Sequence, residues 1–454
     1  MRLDRLTAED ALVLSREGGA VCGHTCKVLI LERTGDRPLP TLEQLRRRVD
    51  ARLDAAPRLR QRLVETPLRV ASPAWLDDPA FDIAGHITQV RTPAPVSRNG
   101  LEEIVGELMT RRLDRARPLW HLDLAELEHG SLALVWRIHH CMADGATCVR
   151  LGAAVLWDDD PDAAAPPPAH WTPTGAPGAV GLFALGIRDR ARHGRRRRGS
   201  APRSGPAPQS GSRAPSRVVL SRELTREADL TPLAASASSS RRVAFATAPL
   251  AQCRRAAKAI DPSVTLNDVV LAIVAGGVRA WLEHVSGAEA TIRVKVPVSL
   301  HGSGEDDVVG NRDSYFFVDL PVDEGDPTAR VLAVSRETRE RKLGHDAETL
   351  YHLGRNPLVA RWAMSPRVFT FNVSNVRGPA GEIYVGGARV REFYSLAEIA
   401  QQHALRVAVI SAAGRLFFGL NADRDAVVEL PAMIDGLRRS VEELLAQVAQ
   451  GRGG

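Results

Sequence analysis

The chain has 454 residues, of which 44% are hydrophobic and 25% charged, the balance of an ordinary globular protein. That length exceeds the usual limit of one hydrophobic core, so two domains are expected. No apolar run reaches the roughly eighteen residues of a membrane-spanning helix, and Met1-Arg2-Leu3-Asp4-Arg5 lacks the core of a signal peptide, which points to the cytoplasm. The net charge of +6 is local: ten arginines and one aspartate lie between Arg188 and Arg217, so the rest is mildly acidic. Nucleic-acid binding, which favours basic residues on a folded face, is therefore not expected. Five cysteines do not suggest a disulfide framework. Cys22 and Cys26 flank His24, but no second ligand pair follows at zinc spacing, so no metal is expected.

In chain order, Val28-Leu29-Ile30-Leu31 reads as a strand. Leu42, Leu45, Val49 and Leu53 fall close to helical spacing, and Leu101 to Leu113 repeats the pattern. Ser131 to His139 is a second strand. After Trp157-Asp158-Asp159-Asp160-Pro161 the composition turns to Ala, Pro, Gly, Ser and Arg until about Ser240. Such a stretch buries too little apolar surface to offset its ordering entropy and reads as a mobile linker. Within it, the apolar piece from Val180 to Ile187 suggests a brief helix running into the arginines.

Beyond the linker, Asn267 to Trp281 is apolar nearly all round and reads as a buried helix, followed by a strand from Ile292 to Val298. Phe369 to Val373, Leu405 to Ile410 and Arg415 to Leu420 are further strands, and Ala432 to Val448 a closing helix. The fold class is α/β, with mixed sheets and helices in each of two domains. The N-terminal domain covers 1–160, the linker 161–240 and the C-terminal domain 241–454.

The most informative segment is His139-His140-Cys141-Met142-Ala143-Asp144-Gly145. Alternation along the strand puts Leu132, Leu134, Trp136, Ile138 and His140 on one face, and Ala133, Val135, Arg137 and His139 on the other. His140 thus ends an apolar face, where burial keeps an imidazole neutral and fit to accept a proton. Gly145 can supply a backbone geometry that other residues resist, letting Asp144 return across the turn. A lone histidine is more often a satisfied core residue, but this four-residue pattern arises by chance in roughly one chain in a thousand. Cys141 is poorly placed as a nucleophile paired with its neighbour, and no Gly-x-Ser-x-Gly elbow occurs, so direct attack is the better chemistry.

At this segment the chain resembles the bacterial wax ester synthase/diacylglycerol acyltransferases, whose signature His-His-x-x-x-Asp-Gly is shared with condensation domains and other CoA-dependent acyltransferases. Further blocks match in the family's order: Pro57 to Leu63, Trp75 to Asp82, Leu113 to Trp120, Thr265 to Ala272, Val296-Pro297-Val298-Ser299-Leu300, Gly310-Asn311, Ser374 to Pro379 and Phe418 to Asp423. The match spans nearly everything outside the linker. His121 and His301 replace residues usual in the family, Cys22 to Lys27 departs from its N-terminal block, and Ile410 to Gly414 lacks the usual tyrosine. These departures bear on acceptor choice rather than on chemistry.

The resemblance implies two chloramphenicol-acetyltransferase-like domains meeting at a cleft, with a tunnel admitting acyl-CoA from one side and a lipid alcohol from the other. It implies an O-acyltransferase making triacylglycerol, wax ester or both, with His140 as general base and His139 supporting. Asn267, Ser374 and Asn375 are candidates to stabilise the oxyanion, although Asn267 also suits a helix cap. Asp144 is implied to be structural, with Arg60 as its ion-pair partner by analogy with condensation domains. No cofactor is implied beyond acyl-CoA as substrate. Lipid substrates imply a peripheral membrane or lipid-inclusion surface, and the Arg188–Arg217 segment with Phe183 is the candidate anchor. The alternatives are a condensation-type acyltransferase using carrier-protein thioesters and a non-catalytic acyl-binding relative.

Overall fold

The computed structural model describes residues 3–164, 166–167, 171–199, 227–285, 290–299, 313–344, 350, 359 and 362–450. Leu300, His301, Gly310-Asn311 and the arginines from Arg203 to Arg217 lie outside these residues. The strands in chain order are β1 Asp4–Arg5, β2 His24–Glu32, β3 Gln61–Val64, β4 Ala74–Asp77, β5 Ile87–Gln89, β6 Trp120–Leu127, β7 Ser131–His139, β8 Arg241–Pro249, β9 Ile292–Ser299, β10 Asp313–Leu320, β11 Phe371–Arg377, β12 Tyr384–Val385, β13 Ala388–Ala397, β14 Leu405–Ala412 and β15 Arg415–Asp423. Among the described residues they form a small sheet, β1-β4-β3, and two larger ones, β12-β13-β2-β7-β6-β5 and β10-β9-β11-β14-β15-β8.

In the first large sheet β2 and β7 pair antiparallel from His24↔His139 to Leu31↔Leu132. Both faces of β7 are buried, so alternation separates two packed environments rather than core from solvent. Arg137, on the His139 side, is buried and paired with Asp123 at 2.9 Å. The outer neighbour of β2 comes from the far half of the chain. β13 runs along it from Arg389↔Glu32 to Ala397↔Thr25, with an irregularity between Val390 and Glu392. The N-terminal sheet is therefore completed by residues 384–397, and the two halves interlock.

In the second large sheet β11 runs parallel to both neighbours, while the other pairs are antiparallel. One face carries Val294, Val296, Val373, Val407, Val409, Phe418 and Leu420 into a core shared with the helices Leu266–Val285 and Leu430–Gln450. Those helices cross closely because Gly436 faces Gly276 and Gly277; a Cβ there would come within 2.3 Å of Ala280 Cβ. The opposite face meets the N-terminal unit. Gly419 has no room for a Cβ, which would lie 2.2 Å from Ser395 O, and Asn421 Nδ2 donates to Ala397 O at 3.0 Å.

A buried polar clamp joins the halves. Arg241 Nε donates to Glu398 Oε1 at 3.1 Å, its Nη2 to Ala20 O at 2.7 Å, and its Nη1 lies 3.6 Å from Asp423. The other Glu398 oxygen accepts the Cys22 N–H at 3.2 Å, fixing the segment that enters β2.

Two expectations need correction here. The helix at Leu42 ends at Asp50, and Leu53 lies in a short 3-10 turn instead. Part of the expected mobile linker is folded onto the N-terminal unit, and the brief helix expected from Val180 to Ile187 is present within a longer one. The helix Ala179–Gly199 buries Leu182 against Leu3, Ala74 and Leu76, and Asp189 pairs with Arg5 at 2.8 Å. Trp171 also packs edge-on to Phe81, with ring centroids 6.2 Å apart. Apolar contacts and ion pairs thus order part of a segment whose average composition suggested disorder.

Candidate active site

The histidine pair sits where β7 ends. His139 is the last strand residue, and the N–H of His140 is still held by Gly23 O at 2.9 Å. Gly23 has φ +69°, and a Cβ there would lie 2.7 Å from His139 Nε2, so both its backbone and its closeness require glycine. His139 Nδ1 accepts the Cys141 N–H at 3.1 Å, which places the ring proton on Nε2, 3.4 Å from Glu17 Oε2. Glu17 is held in turn by Arg115 Nε at 2.9 Å. The first histidine therefore organises the backbone of the turn.

His140 is partly exposed, with Nδ1 sealed from solvent and without a hydrogen-bond partner; Nε2 is not sealed in this way. Burial of the ring, with nearby Arg406 adding to it, lowers its pKa to about 4. The imidazole is consequently neutral throughout the physiological range, as a proton acceptor must be. Cys141 is buried and its thiol pKa is pushed well up by that burial, leaving essentially no thiolate.

Asp144 caps the helix Gly145–Val155, its carboxylate accepting the Thr147 N–H at 2.6 Å. The expected pair with Arg60 is not formed: Arg60 binds Asp54 and lies over the Trp171 ring at 5.0 Å. The capping geometry absorbs Asp144 within its own turn, and a nearer carboxylate takes Arg60. Replacing Asp144 with Ala should then lower stability by about 1 kcal/mol, the usual value of a cap. Arg60→Met should add to it independently in chemical denaturation; coupling between the two would contradict this assignment. Gly145 does not adopt a left-handed conformation; it is needed because a Cβ would lie 2.9 Å from Val376 Cγ2 of β11.

The remaining candidates are spread along the second half. Thr265, not Asn267, caps the helix Leu266–Val285: the Asp268 N–H donates to Thr265 Oγ1 at 3.3 Å, and Asp268 Oδ2 accepts the Thr265 N–H at 2.8 Å. Asn267 is half-buried and makes no hydrogen bond to a described residue. Ser374 lies on the face of β11 opposite Val373, towards the N-terminal unit. Asn375 shares the side of Val373 and is exposed, so it is not brought together with the others.

Two residues escaped sequence reasoning. Arg406 in β14 lies close enough to His140 to influence its titration, and Lys295 in β9 lies near Arg406. The available signal was a charge in mid-strand with apolar residues on both sides, as in Val294-Lys295-Val296 and Leu405-Arg406-Val407.

Comparison with known proteins defines the class. Residues 6–270 match the wax ester synthase/diacylglycerol acyltransferase catalytic domain, and residues 309–445 the corresponding C-terminal domain. The chain belongs to this family and is an acyltransferase. It is 30% identical to a Mycobacterium tuberculosis protein named as a diacylglycerol O-acyltransferase, over 97% of each chain. A second such protein from that organism, tgs1, is 29% identical over 98% of this chain and 96% of its own. Among solved structures, the wax ester synthase/diacylglycerol acyltransferase of Marinobacter aquaeolei VT8 superposes with a TM-score of 0.69 at 22% identity, covering 98% of this chain and all of that one. The starter condensation domain of rhizomide synthetase shares the fold at a TM-score of 0.60 and 12% identity, covering 98% and 94%. The two-domain architecture is thus that of acyltransferases and condensation domains alike.

Proposed function

We propose that this protein transfers a fatty acyl group from acyl-CoA to the hydroxyl of a lipid alcohol, with His140 as general base. The observation that carries the reading is the uncharged His140 ring at the end of β7, with Nδ1 sealed and Nε2 left to meet substrate. Nε2 takes the hydroxyl proton as the alcohol oxygen attacks the thioester carbonyl. The tetrahedral oxyanion then collapses, the carbon–sulfur bond breaks, and the imidazolium returns its proton to the departing CoA sulfur. Asn267 and Ser374 are the proposed donors to the oxyanion; removing one such donor typically costs about a hundredfold or more in rate. The step uses no metal or bound cofactor. The experiment is release of free thiol from palmitoyl-CoA by the purified protein with a panel of alcohols. No alcohol-dependent release with any acceptor would reject the reading.

Among the described residues no helix is long and apolar enough to cross a membrane. Peripheral attachment to an anionic lipid surface is the proposed means of reaching the acceptor. Leu182 is buried and cannot insert, but Val180 is 83% exposed, Ile187 46% and Leu68 86%, beside Arg190 and Arg192. Gly186 packs against the loop bearing Thr66 and Val70, which brings Leu68 near this helix.

The reading sets a pH dependence. His140 has a folded pKa of about 4 and His24, in its fully buried site, about 3, both below the unfolded value of about 6.5. Such groups bind protons more strongly when unfolded. Their contribution to stability is complete above about pH 6.5 and is lost as pH falls towards 3–4. The unfolding free energy from urea titrations should fall over that range, by up to about 1.4 kcal/mol per pH unit for each proton taken up. While the protein stays folded, kcat/KM should remain flat through pH 6 and decline only nearer pH 4. An acid limb centred at 6.5 would show that the base is solvated.

A further inference from the structure

The cleft-facing side of the second large sheet carries a row that its core-facing side does not. Cross-strand partners share a face, and Asn372 of β11 pairs with Lys295 of β9 on one side and Arg406 of β14 on the other. Arg406 pairs in turn with Asn421 of β15. Lys295, Asn372, Arg406 and Asn421 therefore stand side by side across four strands, towards the N-terminal unit. Their hydrogen-bonding capacity is largely unspent. Among the described residues the Arg406 side chain makes one hydrogen bond, from Nη1 to Glu398 O at 3.3 Å, and its Nε is sealed without a partner. Among the same residues Lys295 Nζ meets Met364 Sδ at 3.7 Å and the rings of Tyr315, at 3.7 Å, and Phe369, at 5.5 Å.

Neither cation has an ion-pair partner among the described residues. Glu398, the acid that acts on Arg406, is already held by Arg241. Burial and the neighbouring Arg16 and Arg406 lower the Lys295 ammonium to about 7, the mark of positive charges crowded without compensation. The Lys295 and Arg406 side chains are only half-buried, so they keep access to the space between the halves, where crowded cations without carboxylates gain most from an arriving anion. A substrate anion would supply that partner. The place does not suit the CoA phosphates, which the long pantetheine arm holds far from the thioester, whereas Arg406 lies within electrostatic reach of His140.

We propose that Lys295 and Arg406 form an anion subsite for the acceptor, so that the preferred alcohols carry a carboxylate or phosphate in addition to the hydroxyl. The inference rests on the acyltransferase reading above and narrows its substrate class. The full-length protein is assayed with palmitoyl-CoA and matched acceptors whose anion lies within a few bonds of the hydroxyl: the methyl ester of 2-hydroxyhexadecanoate against 2-hydroxyhexadecanoate itself, and monoacylglycerol against lysophosphatidate. Wild type should favour at least one charged member by about tenfold or more in kcat/KM, the carboxylate and phosphate arms showing which. Arg406→Met and Lys295→Met should collapse that ratio through KM, and Arg406→Lys should restore part of it.

A wild-type ratio near one, with neutral acceptors turned over, overturns the subsite but leaves the acyltransferase reading intact. Failure of every acceptor removes that reading instead; saturable binding of 2-hydroxyhexadecanoate, absent for its methyl ester, still supports the subsite in that case, and equal binding overturns it. An equal loss of kcat for charged and neutral acceptors in Arg406→Met, with KM unchanged, assigns Arg406 to the oxyanion and overturns the proposal. So does a rise in KM for palmitoyl-CoA that disappears with palmitoyl-pantetheine, which would place the anion on the donor. If the variants do not fold, the wild-type ratio decides.

Discussion

His140→Ala is expected to fold normally and to release thiol from palmitoyl-CoA at least about 10²–10⁴-fold more slowly than wild type, the usual contribution of a positioned general base. Folding should survive because the His140 side chain makes no hydrogen bond to a described residue, whereas its backbone N–H to Gly23 O is kept. His139→Ala should behave differently. Its ring accepts the Cys141 N–H and approaches Glu17, so its loss loosens the turn and leaves a buried carboxylate short of one neighbour. Activity should fall less than for His140→Ala, and stability more. Cys141→Ala should stay active, since its thiol is buried and protonated. Wild-type activity in His140→Ala, or a folded but inactive Cys141→Ala, would move the chemistry to another residue.

The second large effect is expected on stability. Arg241→Met should lower the unfolding free energy by about 3–5 kcal/mol, because it strands Glu398 and Asp423 in a buried position without their shared cation. It also removes the donor to Ala20 O, one of the links fixing the chain as it enters β2 beside the histidines. Denaturant unfolding of Arg241→Met, of Glu398→Gln and of the double variant forms the cycle that measures this coupling. The double variant should cost less than the sum, as expected of residues in one network. Additive losses, or a single-variant cost below about 1 kcal/mol, would mean that water already screens the clamp.

These two experiments probe different layers of what the chain encodes. The histidine segment was legible because its information is local: a strand of fixed period, two histidines at its end, and an aspartate and glycine at set distances. Ser131–His139 is the strand that alternation predicted, and the helix expected from Asn267 appears as Leu266–Val285. The clamp was not legible. Arg241, Glu398 and Asp423 lie in three separate segments, and nothing in their immediate neighbours signals that they meet.

The same distinction explains the errors. Arg60 was assigned to Asp144 by analogy, yet ion-pair choice depends on which carboxylate the folded backbone brings within reach, and that was Asp54. The linker looked disordered by composition, yet Leu182 and Asp189 found partners on β1 and the strands beside it. By itself, then, the sequence determined the α/β class and the position of the histidine pair at a strand end, because these depend on short-range periodicity and residue type. Tertiary structure alone decided that β13 crosses into the first sheet, that Arg406 comes close enough to His140 to act on its titration, and that Lys295 and Arg406 stand in one row without an ion-pair partner among the described residues. The physical reason is that strand register, desolvation and charge pairing are set by residues hundreds of positions apart, which no local pattern records.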